Sequence, residues 1–319
     1  MNQATLHERI PPTTWPLQDI GFFIPLEKQN RDTEAAIEKL LEKLPVRNRW
    51  CVEFGAADGI DSTTRNLIAN HGYSAVLIEG SPSRFAQLKK NYEGRDDIVT
   101  LQQFVGFTAQ DGLDAILSKF PIPPDFDFVT IDIDGNDYHV WNAIIKYRPK
   151  IVMIEFNPTI PSEVQFVQPA DPMVSQGTSL ATMVELGKTK GYELVAVLGV
   201  NAFFVANEIF PAFEIADNRI TTLWNNRDCV TYVFCGYDGR IFLRGSRKLP
   251  WHDTVPLRES DMQVMPAIAR GYPFTVKRRL LYALCRPLQF VPVMRGIKKI
   301  VDSHFGWNRP KSDSAPKAN

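Results

Sequence analysis

The sequence has no surplus of charge: 36 Lys and Arg stand against 36 Asp and Glu in 319 residues. That balance offers no broad surface for a phosphate backbone, so nucleic acid is not the expected partner. Cysteine is scarce, with four in all (Cys51, Cys229, Cys235 and Cys285) and no Cys-x-x-Cys spacing. Neither a disulfide scaffold nor a zinc knuckle fits; these read as reduced thiols. No run reaches the ~18 apolar residues of a spanning helix. No basic segment followed by an apolar one opens the chain, and no internal repeat is present. These absences make a cytoplasmic protein the expectation. The apolar share of 44% is ordinary and supports a sizeable core.

What is present is an alternation of short apolar runs and helical patterns. Residues 1–46 read as a proline-bearing arm followed by a helix over Asp32–Lys43, where Ala36, Ile37, Leu40 and Leu41 share one face. Strands are expected at Arg49–Phe54, Ser74–Ile78, Ile98–Val105, Asp127–Ile131, Lys150–Phe156, Glu193–Val197 and Ala202–Val205. Helices fill the gaps at Asp61–Asn70, Pro82–Tyr92, Asp111–Phe120, from after the loop Asp132–Asp137 to about Tyr147, and at Leu180–Gly191. Strands that alternate with helices at this spacing, and are apolar throughout, imply parallel βαβ units buried on both faces. Residues 47–207 are therefore expected to form an α/β, Rossmann-like, doubly wound and mostly parallel seven-stranded sheet with an antiparallel last strand.

The first strand runs into Gly55-Ala-Ala-Asp-Gly59, a glycine turn at the position where α/β sheets hold nucleotide-like cofactors. The loop is Gly-x-x-x-Gly, not the Gly-x-Gly-x-x-Gly that cradles a pyrophosphate. Glu53 and Asp58 bracket it, and both would repel a doubly anionic pyrophosphate. They suit a ligand carrying an ammonium and a sulfonium, which points to S-adenosyl-L-methionine over NAD. Glu79, at the end of the second strand, can accept hydrogen bonds from both hydroxyls of a ribose. Glu53 has a second reading, as a strand-end carboxylate that caps the next helix.

Four blocks carry a family resemblance: Val52-Glu-Phe-Gly-Ala-Ala-Asp-Gly59, Leu77-Ile-Glu-Gly80, Phe128-Val-Thr-Ile-Asp-Ile-Asp-Gly135 and Ile151-Val-Met-Ile-Glu-Phe-Asn157. Together, over residues 48–206, they resemble the FkbM-type class I S-adenosylmethionine-dependent methyltransferases. The resemblance implies O-methylation of a sugar, glycan or natural product. It also implies that Glu53, Gly55, Ala56 and Gly59 line the methionine end of the cofactor, Glu79 its ribose and Asp132 its far side. The chain departs from the family in carrying Ile133-Asp134-Gly135 where Val-Glu-Gly is commoner, and in its longer C-terminus.

The acceptor side is acidic. Asp132, Asp134, Asn136, Asp137 and His139 crowd the end of the fourth strand; Glu155 and Asn157 close the fifth. Oxygen donors on neighbouring strands suit a Mg²⁺-type ion, with Asp134, Glu155 and Asn157 as ligands. The alternative is that these groups hold cofactor and acceptor directly, with Asp134 or Asn136 capping the following helix. His139 is the expected general base, beside Asp132 and Asp134 in the catalytic set; a packed histidine is the other reading. Asn201 is expected to face the same pocket. Gln165, Phe166 and Gln168 are expected in a lid over a polyhydroxylated small-molecule or glycan acceptor.

Beyond residue 207 the pattern changes. Residues 208–260 read as an extension with a β-hairpin, Val230–Phe234 and Arg240–Arg244, turned by Asp238-Gly239. Residues 261–319 read as a basic amphipathic tail with helices: from Gln263 to Val301 there are eight Lys or Arg and no acid. Such a tail suits a membrane's inner face or an acidic partner, or docks on the protein's own acidic face. Rival readings are a methyltransferase acting on protein or nucleic acid, for which the Asn/Asp-Pro-Pro-Tyr signature is missing after the fourth strand. An NAD enzyme and a non-catalytic adapter with the same fold are the others. The sequence leaves the oligomeric state open.

Overall fold

The computed structural model describes residues 26–224, 229–246, 258–270 and 275–288. The chain divides into two compact units, with the boundary between Val230 and Thr231. The proline-bearing arm up to residue 25 and the polar end at 306–319 lie outside the described residues.

The first unit is built around seven strands: β1 (Trp50–Phe54), β2 (Ser74–Glu79), β3 (Ile98–Gln102), β4 (Phe128–Ile131), β5 (Ile151–Glu155), β6 (Tyr192–Leu198) and β7 (Asn201–Ala206). Their order is β3-β2-β1-β4-β5-β7-β6. β1 pairs in parallel with both β2 and β4, and β7 runs antiparallel between β5 and β6. This is a Rossmann-like, doubly wound, mostly parallel sheet, as the alternation of runs implies. The chain winds outward through β2 and β3, then returns to the other side of β1 at β4. The switch point of the topology therefore lies between β1 and β4, where open α/β sheets bind ligands.

The helices are α1 (Leu26–Glu42), α2 (Arg65–Asn70), α3 (Pro82–Asn91), α4 (Leu113–Leu117), α5 (Asp137–Ala143), α6 (Leu180–Thr189) and the short α7 (Ile220–Leu223). Ala36, Ile37, Leu40 and Leu41 of α1 are all buried, as their spacing predicts. Strand residues from Cys51 to Phe54 and from Phe128 to Ile131 are buried without alternation, the signature of a sheet covered on both faces. Several helices are shorter than their periodicity suggests. α2 starts at Arg65, not Asp61, because residues 58–64 are spent in turns that bond Asp58 and Glu53.

At the edge of the sheet away from the glycine turn, Asp127 ties four segments together. Its carboxylate is fully buried and accepts from the Asn48 and Arg49 N–H groups at 3.1 and 2.9 Å, from Tyr73 Oη at 3.1 Å and from Lys150 Nζ at 2.7 Å. Burial of a charge is tolerable only with this many donors. Cys51 and Cys229 are buried, neither of them in a disulfide, and burial pushes the Cys51 thiol well up.

Residues 208–224 belong with this unit, not with the hairpin extension that the sequence suggests. Ile209, Phe213 and Trp224 are buried, Trp224 packs edge-on against Phe156 at 5.0 Å, and Asn218 Nδ2 donates to Glu193 at 2.7 Å. The second unit holds the expected hairpin, β8 (Thr231–Cys235) and β9 (Ile241–Gly245), joined by residues 236–240. It also holds α8 (Glu259–Met262) and α9 (Val276–Leu288). Gln263 clamps β9 by accepting from the Ile241 N–H at 3.1 Å and donating to its carbonyl at 2.7 Å. The part of the basic tail beyond Leu288 lies outside the described residues.

Candidate active site

The parallel strands end together, so Gly55, Glu79, Asp132 and Glu155 arrive at one edge of the sheet, and antiparallel β7 starts there at Asn201. Gly55 sits at the switch point with φ +79°, and a Cβ there would lie 2.8 Å from the Asp132 carbonyl oxygen. Only glycine fits. Its N–H and that of Ala56 donate to the Ile78 carbonyl at 3.0 and 3.1 Å, which docks the turn onto β2. Ala57 also takes a left-handed conformation, φ +49°.

Two carboxylates organise this turn. Glu53, buried, accepts from Ser62 Oγ at 2.9 Å, from the Thr63 and Thr64 N–H groups at 3.0 Å each, and from Thr64 Oγ1. The carboxylate at the strand end thus holds the chain entering α2, the second of the two readings its sequence position allows. Glu79, also buried, accepts from the Ala57 N–H at 2.8 Å and from the Ser81 N–H at 2.7 Å. Asp58 accepts from the Ile60 and Asp61 N–H groups at 2.9 and 3.1 Å; these bonds, that from Asp61 first, hold its carboxyl below the usual range.

One residue at this edge escapes sequence reasoning. Phe104 follows β3, in the stretch that the sequence assigns to the strand as far as Val105. Its side chain is 80% exposed, and its ring lies so close over Gly80 that a Cβ on Gly80 would come within 2.3 Å of it. One flat aromatic face is thereby held open beside Glu79.

At the ends of β4 and β5, ligand atoms of Asp132, Asp134 and Glu155 all lie within 4.8 Å of one another. Asp132 and Asp134 open to solvent on one side and Glu155 is half-buried. The walls crowd them all the same. Enclosure raises the Asp132 carboxyl above the usual carboxylate range, and Asp134 and Glu53 raise it further. Glu155 is raised more, by enclosure first and then by Asp132, Asp137 and Asp134, and its carboxyl shares a hydrogen bond with Asp132. Asp134 takes a left-handed φ of +56°, a strained conformation of the kind that collects at functional sites. Across β7, Asn201 is the register partner of Glu155. Directly opposed residues of an antiparallel pair present side chains on the same face. Asn201 is 7% exposed and its Oδ1 is buried without a hydrogen-bond partner.

Other expected site residues are engaged elsewhere. Asn157 accepts through Oδ1 from the Thr159 N–H and Oγ1 at 3.0 and 2.6 Å and donates to the Gln176 carbonyl at 2.8 Å, so its amide is spent within its own loop. Neither Asp134 nor Asn136 caps α5 by its side chain; Asp137 accepts from the Ile133 and Gly135 N–H groups at 3.0 and 2.9 Å instead. Burial, then Asp132, pushes the Asp137 carboxyl up to about 7 against those two bonds. His139 Nε2 lies 2.8 Å from the Gln168 carbonyl oxygen, and its ring is set between Phe107 and Tyr138. Gln168 faces inward: its Oε1 accepts from the Gln176 and Gly177 N–H groups and its Nε2 donates to the Val174 carbonyl. Residues 157–179 are therefore a braced loop tied to α5 by His139. Gln165 and Phe166 lie on it, Gln165 bonded to Glu185 on α6 and Phe166 bonded through its N–H to Ser179.

No family model matches this chain, and no curated protein does. Among solved structures it is similar to the N-terminal domain of EvdMO1 with SAH bound, at 14% identity over 55% of this chain and 79% of that one, TM-score 0.37. It is also similar to the glycopeptide N-methyltransferase MtfA complexed with S-adenosyl-L-methionine (13%, 54% and 85%, TM-score 0.33). The citrinin polyketide synthase CMeT domain is a third (13%, 56% and 52%, TM-score 0.40). At such values the strand order and register of the chain itself carry the fold.

Proposed function

We propose that the protein is an S-adenosyl-L-methionine-dependent methyltransferase of the FkbM type that acts on a hydroxyl of a sugar, glycan or other polyhydroxylated small molecule. One observation carries this reading. Glu53, Asp58, Glu79, Asp132, Asp134 and Glu155 gather round the crevice at the switch point, where a phosphate-bearing cofactor would meet repulsion and a cationic one attraction. Gly55 lets the turn pass close against the Asp132 carbonyl, which brings the glycine turn and the end of β4 together at that crevice.

In this reading Glu79, with lone pairs left on both oxygens, accepts from the ribose hydroxyls, and Phe104 and Gly80 flank the adenine. Gly55, Ala56 and Gly59 shape the wall at the methionine end, Glu53 keeps that wall in place, and Asp58 offers a carboxylate to the ammonium. When bound, the cofactor supplies an electrophilic methyl group on sulfur. The acceptor oxygen forms the new O–C bond as the C–S bond breaks, and the hydroxyl proton leaves to a base. Two groups can take it: Asp132 at the crevice edge, and His139, whose Nε2 contact with the Gln168 carbonyl leaves Nδ1 as its proton acceptor. Near-normal turnover in His139→Ala across the pH range assigns the role to Asp132. Holding sulfur, methyl and oxygen in line supplies much of the remaining acceleration.

The oxygen-only donors Asp132, Asp134 and Glu155 also suit a divalent ion of the Mg²⁺ kind, and Asn201, whose Oδ1 has no hydrogen-bond partner, stands opposite Glu155 in register on the neighbouring strand. This revises the ligand set read from sequence, since Asn157 is taken up by its loop. A hydroxyl pair of the acceptor would chelate a bound ion and be acidified by it. Calorimetry with S-adenosyl-L-methionine and with NAD tests the cofactor: binding of the first alone is expected, and binding of NAD alone overturns the proposal. Labelled methyl transfer to extract fractions, before and after EDTA, tests the rest. Activity lost to EDTA and restored by Mg²⁺ is expected. EDTA-resistant transfer to an amine would mean that the carboxylates bind a cationic acceptor directly.

A further inference from the structure

α9 carries a stripe of apolar residues on its exposed side. Its half-buried positions are Arg278, Leu281 and Cys285, three and four residues apart. Val276, Leu280 and Leu284, spaced four apart and so on one stripe, are 76%, 62% and 69% exposed. At about 100° per residue, Lys277 falls on one border of that stripe and Arg279 and Arg286 on the other. α9 contains no acidic residue. An apolar stripe flanked by cations on a helix without acids is the pattern of a helix lying in a membrane interface, where long basic side chains reach the phosphates. Its 13 residues span about 20 Å, too short to cross a bilayer.

We infer that the second unit docks on an anionic lipid bilayer through α9, with Val276, Leu280 and Leu284 entering the acyl boundary and Lys277, Arg279 and Arg286 at headgroup level. Charge complementarity selects this occupant. A second copy apposed along the same stripe would bring Lys277, Arg279 and Arg286 of each helix together with no acid on α9 to offset them; an anionic surface meets all three. The hairpin adds interfacial chemistry within the same unit. Tyr232, Val233 and Phe234 are exposed, Phe234 stacks on Phe242 at 5.3 Å, and Arg244 lies over both rings. The inference stands apart from the chemistry proposed for the crevice.

The test is flotation of the full chain with vesicles of phosphatidylcholine alone and of phosphatidylcholine with phosphatidylglycerol, at low and high salt. The expected result is at least about tenfold more binding to the anionic vesicles, reversed by salt. The double variant Leu280→Asp/Leu284→Asp and the double variant Lys277→Glu/Arg279→Glu should each lose that binding with circular dichroism and melting unchanged, since these side chains are exposed. No binding, equal binding to both vesicle types, or wild-type binding by both variants overturns the inference. So does a dimer in light scattering that Leu280→Asp dissociates while vesicles recruit nothing, which would assign the stripe to a second copy. Salt-sensitive capture by an acidic polypeptide without vesicle binding overturns it too.

Discussion

The Glu79 carboxylate and the Ala57 N–H meet at 2.8 Å across the mouth of the crevice, joining the end of β2 to the middle of the glycine turn. Ala57 holds a left-handed φ of +49°, so the bond supports a conformation an alanine does not favour. The other oxygen of Glu79 accepts from Ser81, which opens the approach to α3. One side chain thereby fixes two loops, and it is also the group proposed to accept from the ribose hydroxyls.

Glu79→Ala should damage binding and stability together. Two bonds to an ionised acceptor are lost, each worth roughly 1.5–3 kcal/mol, and two N–H groups are left without it. S-adenosyl-L-methionine affinity should fall by at least about 30-fold in calorimetry, with a lower Tm. Unchanged affinity with lowered Tm would leave Glu79 only its structural role.

Phe104→Ala separates binding from folding. The ring is 80% exposed, so its loss should leave Tm almost unchanged. If it stacks on adenine, affinity should fall by about 5–100-fold, the range that alanine substitution gives for base stacking. Equal affinity in wild type and variant removes Phe104 from the cofactor site.

Asp127→Ala should be among the most damaging substitutions away from the crevice. It leaves Lys150, whose side chain is 12% exposed, without its buried partner and strips acceptors from Asn48, Arg49 and Tyr73. Breaking a buried pair in this way costs about 3–5 kcal/mol. Chemical denaturation should show that loss, and a midpoint close to wild type would contradict the assigned network.

The same residues show why some of the molecule is legible in the sequence and some is not. The strands are legible because each core run is apolar without alternation and stops at Gly55, Glu79 or Asp132; order and parallel sense follow. The crevice is legible because strand ends must gather on one edge. What resists reading is the direction of polar side chains in loops. Asn157 and Gln168 look like pocket residues, yet nearby backbone groups satisfy both amides, and no periodicity encodes that choice. The Asp127 network joins residues 48–49, 73 and 150, which only the folded sheet brings together. Phe104 lies in the last three residues of the expected strand, which stay unpaired because Gln102 is the last to bond to β2.

The carboxyl cluster makes stability depend on pH with a definite sign. Asp132, Glu155 and Asp137 all have raised folded-state values, through enclosure first; Asp134 and Glu53 then raise Asp132, Asp132 raises Asp137, and Asp132, Asp137 and Asp134 raise Glu155. A carboxyl whose folded value exceeds its unfolded one adds stability that is complete below the unfolded value, about 4, and is lost as pH rises through the folded value. The ligand-free protein should therefore melt progressively earlier from mildly acidic pH through Asp137's value of about 7 and into the alkaline range. Glu155→Gln removes the most strongly raised member and keeps a hydrogen-bonding amide beside Asp132. It should flatten that decline and raise Tm above neutral pH by about 2–4 °C, the shift that ~1 kcal/mol gives a domain of this size, while methyl transfer falls. Parallel melting curves for wild type and variant across the range would show that Glu155 is not destabilised by its carboxyl neighbours and would contradict the proposed repulsion.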